Sequence, residues 1–315
     1  MSRRLGFVLV FLGLFLLFFA LFERFYSYPR LQKAPLDQYS KPVATGTGSY
    51  FDRSTLKEVT NAQLQNIRVV RGDVKAGSSK TAVWDTFSST MDTAKPEGEG
   101  VITATRERIA LDRVTAESVH CCGDNPPHEG LTLKFPFNTA KRTYVFWDTG
   151  AKQAFPAAYV GSEKLDGLGV YRFEQRFDGV KTESLTIGGD MAGEPTKASV
   201  PASVVYGNVK TLWVEPRTGI IVKAQQDVNQ TLQTEDGRTV LTVVDAKLAY
   251  DDATVRHNLD EARDGRSQLA MLSTTLPIGG LLLGVLLVAG GLLLARRRPG
   301  QRVAGTPQSS AAGAA

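Results

Sequence analysis

Hydrophobic positions follow two patterns along this chain. Near each end they form an unbroken run. Residues 5–22 read LGFVLVFLGLFLLFFALF behind Arg3 and Arg4, and residues 276–295 read LPIGGLLLGVLLVAGGLLLA ahead of Arg296, Arg297 and Arg298. At 1.5 Å per residue, either run is long enough for a hydrocarbon core of about 30 Å. Between them, apolar and polar residues alternate with the period of a half-buried strand, as in Tyr171-Arg172-Phe173-Glu174.

Turn signals divide this middle segment. Residues 210–215, 220–234 and 239–250 are extended runs separated by Pro216-Arg217-Thr218-Gly219 and by a turn holding Asp236-Gly237, which predicts an antiparallel meander. Strands are also predicted at 64–75, 81–88, 101–111, 144–147, 154–160 and 171–177, with Asp178-Gly179 turning the last into 181–187. A short helix is expected within 51–66. A second, over 253–273, is interrupted at Asp264-Gly265 and bent by Pro277. Residues 33–49, rich in Pro and Gly, read as the link between membrane and domain.

The predicted class is mainly β (α+β): a large antiparallel β-rich extracytoplasmic domain, 23–275, flanked by two transmembrane helices. Basic flanks stay cytoplasmic, which places residues 1–4 and the 296–315 tail, small, polar and expected to be disordered after Arg302, inside and the domain outside the plasma membrane. The first run exceeds the roughly 7–15 apolar residues of a cleaved leader. The following Phe22-Glu23-Arg24-Phe25-Tyr26 has no small-x-small site, so a retained signal anchor is expected. In the second span Gly280 and Gly284 are spaced for close packing against the first span or a second copy, or simply belong to a glycine-rich helix.

Charge changes the picture less than the pI of 9.1 suggests. Six of the 37 basic residues lie in the tails, leaving 31 against all 32 acidic residues in 23–275, a formal charge of −1. Basicity therefore belongs to topology, and no nucleic-acid partner is expected.

Phe135-Pro136-Phe137, Tyr144-Val145-Phe146-Trp147-Asp148, Gly167-Leu168-Gly169-Val170-Tyr171-Arg172-Phe173 and Trp213-Val214-Glu215-Pro216-Arg217-Thr218-Gly219 resemble the actinobacterial PorA family. With the two terminal spans, the resemblance covers almost the whole chain. It implies an actinobacterial envelope protein and brings no catalytic residues. The family name suggests a porin. A membrane barrel, however, needs strands of roughly 9–11 residues with a lipid-facing apolar alternation. The 63 charged residues between the spans and the flanking helices point instead to a water-soluble domain, not a pore.

Two segments could carry chemistry. His120-Cys121-Cys122-Gly123-Asp124-Asn125-Pro126-Pro127-His128-Glu129 holds both cysteines and two of the three histidines. His120, Cys121, Cys122 and His128 are suitable zinc or copper ligands, but their spacing matches no standard pattern. In an oxidising compartment a vicinal Cys121–Cys122 disulfide is the competing expectation. Asp148-Thr149-Gly150-Ala151 resembles the aspartic-peptidase signature, whose chemistry needs a second aspartate. Trp84-Asp85-Thr86-Phe87 repeats it only in part, and a strand ending in an Asp/Gly turn is the plainer reading. No nucleophile elbow, phosphate loop or H-E-x-x-H occurs, and no cofactor is implied. The resulting expectation is a non-enzymatic membrane protein that binds or transfers a lipid or lipoglycan. The alternatives are a scaffold or sensor for an envelope-assembly protein and, remotely, a hydrolase using Asp148.

Overall fold

Period-two alternation becomes strand through the middle of the chain in the computed structural model, which describes residues 2–96 and 98–296. The tail beyond Arg296, with Arg297, Arg298 and Arg302, lies outside the described residues. The described residues form two compact units, 2–30 with 270–296, and Leu31–Leu269.

In the first unit the apolar runs make α1 (Ser2–Phe22) and a second long helix (Leu276–Arg296). Glu23–Ser27 is a π-helical turn leading into the short α2 (Tyr28–Leu31). The two long helices are long and apolar enough to cross a membrane. Their backbones meet at glycines. A Cβ on Gly13 would stand 2.7 Å from the Gly284 carbonyl oxygen, and one on Gly291 would stand 2.6 Å from that of Gly6. At Gly280 the approach is looser, 3.3 Å from the Ala20 Cβ. Larger side chains at Gly13, Gly284 or Gly291 would force the helices apart.

The second unit is one antiparallel sheet. Its strands are β1 (Tyr39–Ser40), β2 (Val43–Asp52), β3 (Lys57–Gly72), β4 (Thr81–Asp92), β5 (Val101–Asp112) and β6 (Tyr144–Asp148). β7 (Gln153–Leu165), β8 (Leu168–Gly188), β9 (Ser199–Val214), β10 (Ile221–Thr234) and β11 (Thr239–Tyr250) follow. The order is β5-β4-β3-β2-β11-β10-β9-β8-β7-β6, with β1 added to β3. Then come α3 (Asp252–Ala270), a π-helical turn (Met271–Thr275) and the long Leu276–Arg296 helix, α4.

The sheet curls, and the β5–β6 connection closes it. Val119 N–H donates to Ala110 and Asp112 N–H to Glu117. Ser118 N–H donates to Gly130, while Leu131 N–H donates to Val145 and receives Trp147 N–H on its own carbonyl. Hydrogen bonds therefore run from edge strand β5 through two short segments to edge strand β6, so both edges find partners there. Outside, α3 lays Leu259 and Ala262 on Leu168, Val170, Trp213 and Val222.

Four expectations are corrected. Residues 51–66 are not helical: β2 turns into β3 with Leu56 at φ 55°, a hairpin reversal. Residues 33–49 are not a link, because β2 is a central strand there. Asp178-Gly179 does not end a strand: β8 runs through it as a bulge against β9, with Gly179 at φ 73° supplying the conformation that the extra residue needs. Asp264-Gly265 does not interrupt α3.

Candidate functional site

Strand register decides which side chains face inward. From β3 across β4, Asn66 pairs with Thr90, Arg68 with Ser88 and Val70 with Thr86, and Thr86 pairs on with Glu107 of β5. From β10, Gln226 pairs with Lys210 of β9, and Lys210 with Gln175 of β8. One level of the interior is therefore a polar row, whereas aromatic rings close the level beside it. Phe135, from the β5–β6 connection, is fully buried there and stacks on Phe173 and Phe146 at 4.6 and 5.5 Å.

A cavity of about 180 Å³ spans the polar level and reaches the apolar side chains beside it, Phe146, Leu212 and Leu248 among them. Asn66, Arg68, Lys134, Lys210 and Gln226 line it with Trp84, Trp147 and Tyr250. Burial alone brings the Lys134 amine down to about 7. Its Nζ donates to the Phe135 carbonyl at 2.8 Å and stands 4.3 Å from the Phe137 ring. Tyr206, beside the cavity, has its hydroxyl pushed well up, first by burial and then by the neighbouring Asp148 charge.

Asp148 ends β6 within this row. Its Oδ2 accepts from Lys210 Nζ at 2.7 Å and Asn208 Nδ2 at 3.2 Å. Its Oδ1 accepts the Gly150 and Ala151 N–H groups at 2.9 and 3.0 Å. Burial pushes this carboxyl up, but the Lys210 charge and the hydrogen bonds outweigh it and hold it below the usual carboxylate range. Gly150 is required by space, since a Cβ would lie 2.7 Å from the Tyr206 hydroxyl. The peptidase expectation fails here. Asp148 is bound to a lysine instead of a second carboxylate, and Asp85 is exposed and paired with Arg108 at 2.9 Å.

The other conspicuous segment belongs to the seam. His128 is fully buried: its Nδ1 donates to Asp124 Oδ1 at 2.7 Å, and its Nε2 lies 3.7 Å from Glu107 Oε1. Glu107 also accepts from Trp147 Nε1 at 3.2 Å and Thr149 Oγ1 at 2.9 Å. Burial pushes the His128 imidazole down, but Glu107 and Asp124 together raise it above its ordinary value. Burial likewise pushes Glu107 up and is outweighed by His128, Thr149, Trp147 and Arg68, leaving it lowered. His120 is exposed on the other side of Asp124, 3.7 Å away. The Cys121 and Cys122 sulfurs lie side by side, and Arg108 Nε donates to the Cys122 carbonyl at 3.1 Å. Among the described residues no three His, Cys, Asp or Glu side chains converge as a metal site. The segment thus works as a clasp between β5 and β6. Sequence reasoning missed Glu107, Arg68, Lys134 and Lys210, which carry no motif.

The architecture is that of a membrane-associated β protein whose closed sheet turns polar residues inward. The family model of Porin PorA matches residues 5–293, and the chain belongs to that family. A Porin PorA of Corynebacterium resistens is 26% identical over 409 aligned positions, covering 95% of this chain and 98% of the relative. One of Corynebacterium amycolatum is 24% identical over 365, covering 88% and 94%. The family places the chain at a membrane of the cell envelope.

These names overturn the expected lipid or lipoglycan carrier and the expected scaffold or sensor, together with the expectation that the chain is no pore. The geometry gives a reason against a carrier. A lipid needs a continuous apolar cavity, whereas this one is only about 180 Å³ and sets Arg68, Lys134 and Lys210 among Val70, Leu133, Leu212 and Leu248.

Proposed function

We propose that this chain is a non-enzymatic, channel-forming protein of the cell envelope, with the polar interior of the closed sheet as part of its aqueous path. The observation that carries this is the inward row of Asn66, Arg68, Lys210 and Gln226, read beside the porin names of its relatives. A polar interior is what an aqueous path needs.

The outer face argues for where the hydrocarbon is crossed. Arg71, Asp85, Arg106, Arg172, Arg176, Asp245 and Lys247 are exposed on the strands, so the sheet stands in water. Crossing falls to α1 and α4, with their basic flanks inside and Leu31–Leu269 outside. Two helices in contact at Gly13 and Gly284 leave no room for water between them, so conduction requires several copies. Full-length protein added to a planar bilayer should produce stepwise, ohmic conductance. Silence from protein whose insertion is verified by protease protection would overturn the proposal.

An outside location also favours an oxidised Cys121–Cys122 pair. The intact mass should lie about 2 Da below the reduced value, the two hydrogens lost when a disulfide forms. A mass that reductant leaves unchanged would count against it.

A further inference from the structure

Resting on the reading of the interior as an ion path, we infer that the cavity is a binding site for small anions, built by Arg68 of β3, Lys134 of the β5–β6 connection and Lys210 of β9. The three cations come from segments far apart in sequence and line one space. Their counter-charges are unequal to them. Asp148 answers Lys210 at 2.7 Å. Lys134 has a backbone carbonyl and the Phe137 ring for its ammonium, but no carboxylate. Among the described residues, the Arg68 guanidinium has no hydrogen bond or ion pair, although its charge acts through space on Glu107, itself engaged by Trp147 and Thr149. Glu261 is the single acidic residue among those lining the cavity.

Partly buried cations that outnumber their counter-charges are costly, and an anion between them recovers part of that cost. Arg68 offers a planar fork of donors, the geometry that suits carboxylate and oxyanion groups. About 180 Å³ takes an inorganic anion with a few waters, and is below the roughly 300 Å³ at which pockets for drug-sized ligands begin.

Trp84 and Trp147 line the same space and report on it. Iodide is the probe, with neutral acrylamide as the control for access, on full-length protein in detergent at constant ionic strength. Wild-type quenching by iodide should saturate. In Arg68→Gln and Lys134→Gln the half-saturating iodide concentration should rise about tenfold, the effect of removing one nearby charge in a medium of intermediate dielectric. Acrylamide quenching should stay the same, and Arg68→Lys should keep most of the effect. Iodide quenching that is linear, or equal in all four proteins, would overturn the site. A reversal potential across a KCl gradient separates this site from channel activity. Saturable iodide without conductance leaves the site standing and removes the channel. Conductance that favours cations, with linear iodide quenching, removes the site and keeps the channel.

Discussion

Asp148→Ala should destabilise the β unit by about 3–5 kcal/mol, the cost of leaving a buried charge without its partner. Asp148 is 2% exposed and Lys210 16%, so little solvent screens what remains. The variant also removes the acceptor for the Gly150 and Ala151 N–H groups, and with it the turn that ends β6. Asp148→Asn keeps an oxygen for that turn and loses only the charge, so it should cost less. Adding Lys210→Met to Asp148→Asn should recover much of the loss, because the orphaned ammonium goes with it. Urea unfolding followed by tryptophan fluorescence gives the full cycle. The carboxyl is lowered in the folded state. Its stabilising share is therefore fully present above the unfolded value of about 3.9 and lost as pH falls through the folded one. A cost under about 1 kcal/mol for Asp148→Ala would mean that the pair is a surface-like contact.

How much of this was legible follows from how each element is encoded. The meander was plain, because Pro216–Gly219 and Asp236-Gly237 are local turn chemistry. Predicted strands 220–234 and 239–250 nearly coincide with Ile221–Thr234 and Thr239–Tyr250. β2 was illegible for a physical reason. A Cβ on Gly46 would fall 1.8 Å from the Lys247 carbonyl oxygen, and one on Gly48 would fall 2.4 Å from that of Asp245. The strand is glycine-rich because β11 lies so close, and that composition imitates a link.

The interior row was illegible for another reason. Apolar alternation reveals a strand when one face is dry, but Arg68, Lys210 and Gln226 face inward while Arg71, Asp245 and Lys247 face water. With polar residues on both faces the contrast vanishes, and only register with neighbouring strands tells inside from outside. In the His120–Glu129 segment the unusual residues were visible, but their meaning depended on Glu107, which arrives from a different strand.

That seam carries the second large effect. His128→Ala should cost on the order of 3 kcal/mol, since it leaves the carboxylates of Asp124 and Glu107 without the cation between them. The pH dependence has a definite sign. His128 is raised in the folded state, so its contribution is fully present below the unfolded value of about 6.5 and is lost as pH rises through the higher folded value. Glu107 is lowered, so its contribution is present above about 4.3 and lost as pH falls through its folded value. The clasp is therefore strongest between about 4.3 and 6.5 and loosens on both sides of that window. Urea midpoints should fall for the wild type as pH rises past 6.5, and His128→Gln should flatten that fall while leaving the acidic limb. A His128 ring resonance followed by NMR tests the cause directly. Titration of that ring below 6.5 would show that burial outweighs the two carboxylates, and the alkaline loosening of the β5–β6 seam would then have to come from another group.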